Sequence, residues 1–192
     1  MRSSDFLRGY FCLAAVLSAA CMTSVPAQAA TQPVVKDNAI TLSVPGLVGN
    51  STTVPNGPVN AIEVLAMSLG GSNTPVSQHG SGIPNISFVS VAKATDAASP
   101  KLFLDMVQGA LLGTITFQFW ERPTSGTAWT KTYTIILANA YIVTTSISAA
   151  EGGGPAENLS FAFQAITFQD NVSGTVSCYN VSTNTASNGP TC

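Results

Sequence analysis

The chain has 192 residues; 45% are hydrophobic, only 8% are charged, and the net charge at pH 7 is −2. With no basic patch, a nucleic-acid partner held through its phosphates is excluded. A single histidine, His79, leaves no set of four ligands for a zinc site, and no metal or other cofactor is expected.

The first residues read as a targeting segment. Arg2 and Arg8 give a basic start, and Tyr10 to Met22 is an apolar run containing Leu13, Val16 and Leu17. Ala27 and Ala29 then form the small-x-small pattern of a cleavage site. The sequence therefore predicts a signal peptide over residues 1–30, cleaved after Ala29 or Ala30. The run is shorter than the about 20 residues that span a bilayer, so stable membrane insertion is not expected. Lipidation at Cys21 is the lesser alternative, because Ser18 stands where a large aliphatic residue belongs. Residues 31–192 are then one secreted or periplasmic domain, long enough to bury its own core. From Thr31 onward five basic residues stand against eight acidic ones, a net charge of −3. Its polar surface must come from Thr, Ser, Asn and Gln, which are cheaper to desolvate than charges and suit subunit contacts.

In chain order, Ile40, Leu42 and Val44 alternate with Thr41 and Ser43, the pattern of a half-buried strand. Pro45-Gly46 ends it, and a polar loop follows over 47–58. Ala61 to Leu69 is apolar at both parities, which predicts a strand covered on both faces. Gly70 to Pro84 is a long polar loop, and Ile86 to Ala94 is the next strand. Ser99 as N-cap and Pro100 at the first helical position then open a single helix over about residues 100–112. Phe103, Met106, Val107 and Ala110 form its expected buried stripe; Lys101, Asp105 and Gln108 face water, and Gly113 caps the end. Ile115, Phe117 and Phe119 begin a hairpin that turns through residues 122–126 and returns over Tyr133 to Val143. Leu159, Phe161 and Phe163 share one parity, whereas Ile166 and Phe168 take the other, which points to a bulge or a doubly buried strand. A last strand runs from Thr175 to Val181. Strands bounded by turn signals around one helix predict an all-β barrel or sandwich.

Only Cys178 and Cys192 remain after the signal segment. In an oxidising compartment they are expected to pair. Closing a loop of ~15 residues is worth about 3 kcal/mol in the chain-entropy model, here pinning a chain end.

Five segments, in order, resemble the Hcp family, the ring-forming tube proteins of type VI secretion. They are the strand and turn Ile40 to Ser51, the I-E-V-L-A-M-S-L-G run Ile62 to Gly70, and Asp96-Ala97-Ala98-Ser99-Pro100-Lys101-Leu102 at the helix start. The others are Glu157 to Ile166 and the C-terminal Tyr179 to Asn184. The resemblance implies a β-barrel of two sheets flanked by one helix. It also implies a homohexameric ring with a central channel, rings that stack into a tube, and effector cargo or secretion-apparatus proteins as partners. The loop carrying Asn73, Thr74, Gln78 and His79 would reach a neighbouring subunit or ring. The chain departs from the family in its signal segment and its low charge. It also has Ala165 where Lys is usual, Asn180 where Asp is usual, and the cysteine pair.

No catalytic constellation is expected. His79 sits in a Gly-rich loop without a nucleophile motif near it, and Gly152-Gly153-Gly154 lacks the lysine of a phosphate loop. Glu63, Glu121, Glu151 and Glu157 could supply paired carboxylates, but Glu63 and Glu157 fall in family segments. The alternative to a ring subunit is a monomeric glycan- or surface-binding module using Trp120, Trp129 and Tyr133. Those aromatics are better accounted for as cross-strand partners stiffening the hairpin, worth up to about 1 kcal/mol.

Overall fold

A computed structural model describes residues 37–55, 57–73, 82, 84–123, 126 and 128–192. Among these, Asp37–Ser43 (β1), Ile62–Val64 (β2), Ala66–Ser68 (β3), Gly71–Asn73 (β4), Pro84–Ile86 (β5) and Val89–Ala94 (β6) precede the helix Ser99–Gln108 (α1). Gly113–Arg122 (β7), Thr130–Ser148 (β8), Ala156–Ala162 (β9), Ala165–Asp170 (β10), Val176–Asn180 (β11) and Thr185–Ser187 (β12) follow it.

The strands form two antiparallel sheets. One runs β12-β11-β10-β8-β7-β1-β2, and the other runs β3-β6-β9-β8. β4 and β5 make a separate two-stranded ribbon. The expected all-β fold with two sheets and one helix is therefore present. The ladder does not close into a barrel, however, because the run from Ile62 to Ser68 is two short strands broken at Leu65. β2 pairs with β1 in the first sheet and β3 with β6 in the second.

The chain passes between the sheets four times, once through α1 and three times within or between strands, and each of those three has a sequence cause. At Leu65 the inward parity changes: Ile62 and Val64 are buried before it, and Met67 and Leu69 pack against the core after it. The doubly apolar run is thus a corner, not a strand covered on both faces; Leu65 itself is exposed. β8 crosses at Asn139, a left-handed residue (φ 51°) where its pairing with β7 shifts register. Beside it, the chain leaves β9 and enters β10 at Phe163–Gln164. Gln164 donates its N–H to the Ala138 carbonyl at 3.0 Å, and its side-chain carbonyl accepts from Asn139. The phase change from Phe163 to Ile166 is this crossing.

Between the sheets lies one core. Phe117 of β7 meets Phe161 of β9 edge-on, with ring centroids 6.2 Å apart, among Leu42, Ile62, Val91, Leu137 and Leu159. The turn after β1 packs closely on the strand it precedes. A side chain at Gly49 would come within 2.6 Å of Ile62 Cα, so only glycine fits there.

The helix is shorter than its sequence pattern. It ends at Gln108, and Gly109, not Gly113, takes the left-handed cap (φ 60°), with its N–H bonded to Met106 O. Gly113 is also left-handed but opens β7.

Candidate functional site

Val89, Val91 and Lys93 point to the same side of β6, and Lys93 is as deeply buried as the two valines. Its Nζ lies 2.6 Å from Oε2 of Glu157, the residue directly opposite on β9, and 2.9 Å from Oδ1 of Asp96. It also donates to Ser99 Oγ at 2.9 Å. Ser99 Oγ accepts the Asp96 backbone N–H at 2.9 Å and donates to Glu157 Oε2 at 2.7 Å. The hydroxyl thereby uses its one donor and both its acceptor positions. Asp96 Oδ1 in turn accepts the Ala98 N–H at 3.0 Å, closing the turn into the helix.

This arrangement corrects the expected role of Ser99. The N-cap is Ala98, with no side-chain cap bond, because the Ser99 hydroxyl is turned inward to the ion pair. Pro100 does lie in the first turn, where its missing N–H leaves no bond unmade. Lys93 and Glu157 are 0% and 2% exposed, so no substrate reaches them. The cluster fastens β6, β9 and the helix start to one another.

The outer side of this region has the opposite character. On α1 the buried positions are Ser99, Leu102 and Asp105, with Met106 half-buried, and Asp105 is ion-paired with Lys101. Phe103 (52% exposed), Val107 (62%) and Leu104 face outward, and Leu111 (65%) continues the apolar surface. The expected stripe of Phe103 and Val107 is therefore on the solvent side, and Asp105 is on the protein side. The helix carries two apolar stripes, Leu102 with Met106 and Phe103 with Val107, so periodicity alone does not select the buried face; the contact of Ser99 with the buried Lys93–Glu157 pair does.

The Leu112 N–H bonds to the Ala140 carbonyl at 2.8 Å, which brings the helix exit beside β8. From Tyr141 to Ser148, β8 pairs with β9 on one side, and no strand pairs with its other side among the described residues. This edge reads Tyr-Ile-Val-Thr-Thr-Ser-Ile-Ser, with no charge and no proline, and Tyr141 and Ile147 are exposed. Edges of this length usually carry lysine or proline to block pairing with other chains.

The remaining sequence candidates lie apart. Trp120 donates its indole N–H to Thr41 Oγ1 at 3.1 Å. Trp129 lies beneath the Arg122 guanidinium, 5.3 Å from ring centroid, and Arg122 pairs with Asp37. Tyr133 turns to the core side, edge-on to Phe119 at 6.0 Å and near Phe168. The three aromatics thus do not share one face. Asn73 is exposed at the end of β4; Thr74, Gln78 and His79 lie outside the described residues. Cys178 and Cys192 are disulfide-bonded. Among the described residues, no three His, Cys, Asp or Glu side chains gather as a metal site, and no helix is long and apolar enough to cross a membrane.

A sequence search matches no curated protein. Solved structures do match the fold. The structure of Hcp1 from Salmonella typhimurium superposes with a TM-score of 0.65 at 19% identity, covering 78% of this chain and 99% of that one. A type six secretion system protein gives 0.67 at 22% identity, covering 79% and 100%. A type VI secretion system effector from Yersinia pestis gives 0.60 at 20% identity, covering 74% and 99%. The family model described as type VI secretion system effector, Hcp, matches residues 41–169, and the chain belongs to the Hcp family.

Proposed function

We propose that this chain is a structural subunit, not an enzyme, that assembles with copies of itself into a six-membered ring able to stack into a tube. It would serve type VI secretion or a related exported assembly. The observation that carries this reading is the uncharged, unpaired edge of β8 beside the apolar outer face of α1. The apolar face is poorly solvated and the edge offers a row of free N–H and C=O groups to a pairing strand, so a second copy would cover both at once. A contact between different patches on neighbouring copies closes into a ring when the rotation permits.

Family membership supports the tube role, and the deep burial of Lys93 and Glu157 speaks against catalysis at the charge cluster. In this reading the signal peptide is removed after Ala29 or Ala30, and assembly follows export. The segment between β4 and β5, with Asn73, Thr74, Gln78 and His79, reaches the next ring. Effector cargo would travel in the channel.

The test is the mass and negative-stain image of purified residues 31–192. Six-fold rings are expected, and deletion of residues 74–80 should weaken stacking more than ring closure. A protein that stays monomeric at high concentration would contradict the proposal.

A further inference from the structure

The C-terminal end of the chain closes the far edge of the first sheet. β12 is three residues long and, among the described residues, pairs only with β11, Cys178 standing opposite Ser187 and Asn180 opposite Thr185. The turn between them is set locally: the Asn180 side-chain carbonyl accepts the N–H groups of Ser182 and Thr183 at 3.0 and 3.1 Å, and Asn184 is left-handed. The other end of β12 has no such turn. It is held by the tail that follows, which folds back across the sheet. Thr167 Oγ1 donates to the Pro190 carbonyl at 3.4 Å, and Cys192 is bonded to Cys178 in the middle of β11. Thr167 and Cys178, paired across β10 and β11, are both buried although they face away from the core.

We infer that this disulfide-bonded tail is a removable cap over an interaction edge. With the bond intact, β12 occupies the backbone groups of residues 178–180, and the edge is closed to other chains. A dithiol reduces the bond by thiol–disulfide exchange, leaving Cys178 and Cys192 as two thiols and itself ending as a disulfide; the three-residue strand, then held by one turn, frays. β11 then presents Val176 to Asn180, a stretch without charge, as a free edge. The partner it fits is an extended, uncharged strand of a second copy. The Tyr141–Ser148 edge of β8 meets that description, and no like charges oppose the pairing. Oxidation after export, by exchange with a disulfide-bearing oxidant, would then keep the β11 edge closed, whereas a chain kept reduced would add it to the unpaired β8 edge. The uncapped edge lies on β11, but the strand that accepts it is the β8 edge on which the ring reading rests, so the pairing shares that reading's β8 edge while the fraying of the cap does not.

The experiment compares the oxidised mature chain with Cys178→Ser/Cys192→Ser, and with the native chain under dithiothreitol. Amide exchange is read at 178–180 in dilute protein, and size by light scattering across a concentration series. Core amides of β7 serve as the control for folding. Expected is a roughly 100-fold faster exchange at 178–180 without the disulfide, and growth beyond the oxidised species as concentration rises. That growth should be suppressed by adding Ile147→Lys. Unchanged exchange at 178–180, or an unchanged size series, overturns the cap. Growth that persists with Ile147→Lys overturns β8 as the strand accepted. Exchange at 178–180 in dilute, unassociated protein reads the cap without any ring, and the mass of the oxidised chain reads the ring without any change in the cap, so failure here and failure of the ring proposal are separable.

Discussion

The inside and the outside of the α1 region differ in a direction that solvent alone does not select. Inside, Lys93, Glu157, Ser99 and Asp105 are buried together with aliphatic side chains. Outside, Phe103, Leu104, Val107 and Leu111 are exposed, and the neighbouring β8 edge carries no charge. A helix docked for stability alone would be turned the other way, with Asp105 in water. The buried charges therefore do something apolar packing does not: they fix one orientation for α1. The apolar outer face is then available for a partner. In the proposed reading, stability and assembly fall on opposite sides of the same ten-residue helix.

The largest expected effect comes from breaking the inner side. Lys93→Met leaves the buried carboxylate of Glu157, and the partly exposed one of Asp96, without their cation, which typically costs about 3–5 kcal/mol. Urea unfolding of the mature chain measures it, and a loss under about 1 kcal/mol would mean that the ion pair does not hold the corner. The outer side should respond in the opposite way. Phe103→Ser with Val107→Ser removes exposed side chains, so folding stability should stay within about 0.5 kcal/mol per site. Self-association, measured by sedimentation, should weaken at least about tenfold. If stability falls and association does not, the outer face is part of the core after all.

A smaller effect is expected at the β10–β11 turn. Asp170 is held below its ordinary pKa first by the Ser173 hydroxyl, then by the N–H groups of Val172 and Ser173. A folded-state pKa below the unfolded one adds stability above the unfolded value of 3.8, and that stability is lost as pH falls through the folded one. Ser173→Ala should move the Asp170 titration upward toward its ordinary value, read by carboxyl NMR, with little change near pH 7. Unchanged titration would show that the hydroxyl is not the main cause.

Much of the fold was legible because parity is a faithful signal, even where its meaning was misjudged. The double-sided apolar run at Ile62 to Leu69 and the phase change between Phe163 and Ile166 were both visible, and both mark chain crossings between sheets. Strand pattern records which way a side chain points but not which sheet lies there. β4 and β12 escaped because three small polar residues carry no periodicity. The helix misled for a different reason: Leu102 with Met106, and Phe103 with Val107, are equally good stripes, and only the tertiary ion pair chooses between them. Lys93 was readable in principle, since it follows Val89 and Val91 at the core parity, but a lysine is ordinarily read as surface. Ser99, Asp96 and Glu157 were recognisable through the family resemblance, without their shared contact. The cysteine pair needed only the count of thiols left after the signal segment.

The central claim is that the β8 edge beside α1 is covered by another copy. Amide exchange at residues 143–148 of the oxidised mature chain, followed over a concentration series, tests it most directly. Protection at these amides should rise as the protein associates and be lost with Ile147→Lys, while the β7 amides stay protected throughout. Exchange that is equally fast at every concentration, in protein that nevertheless associates, would contradict it.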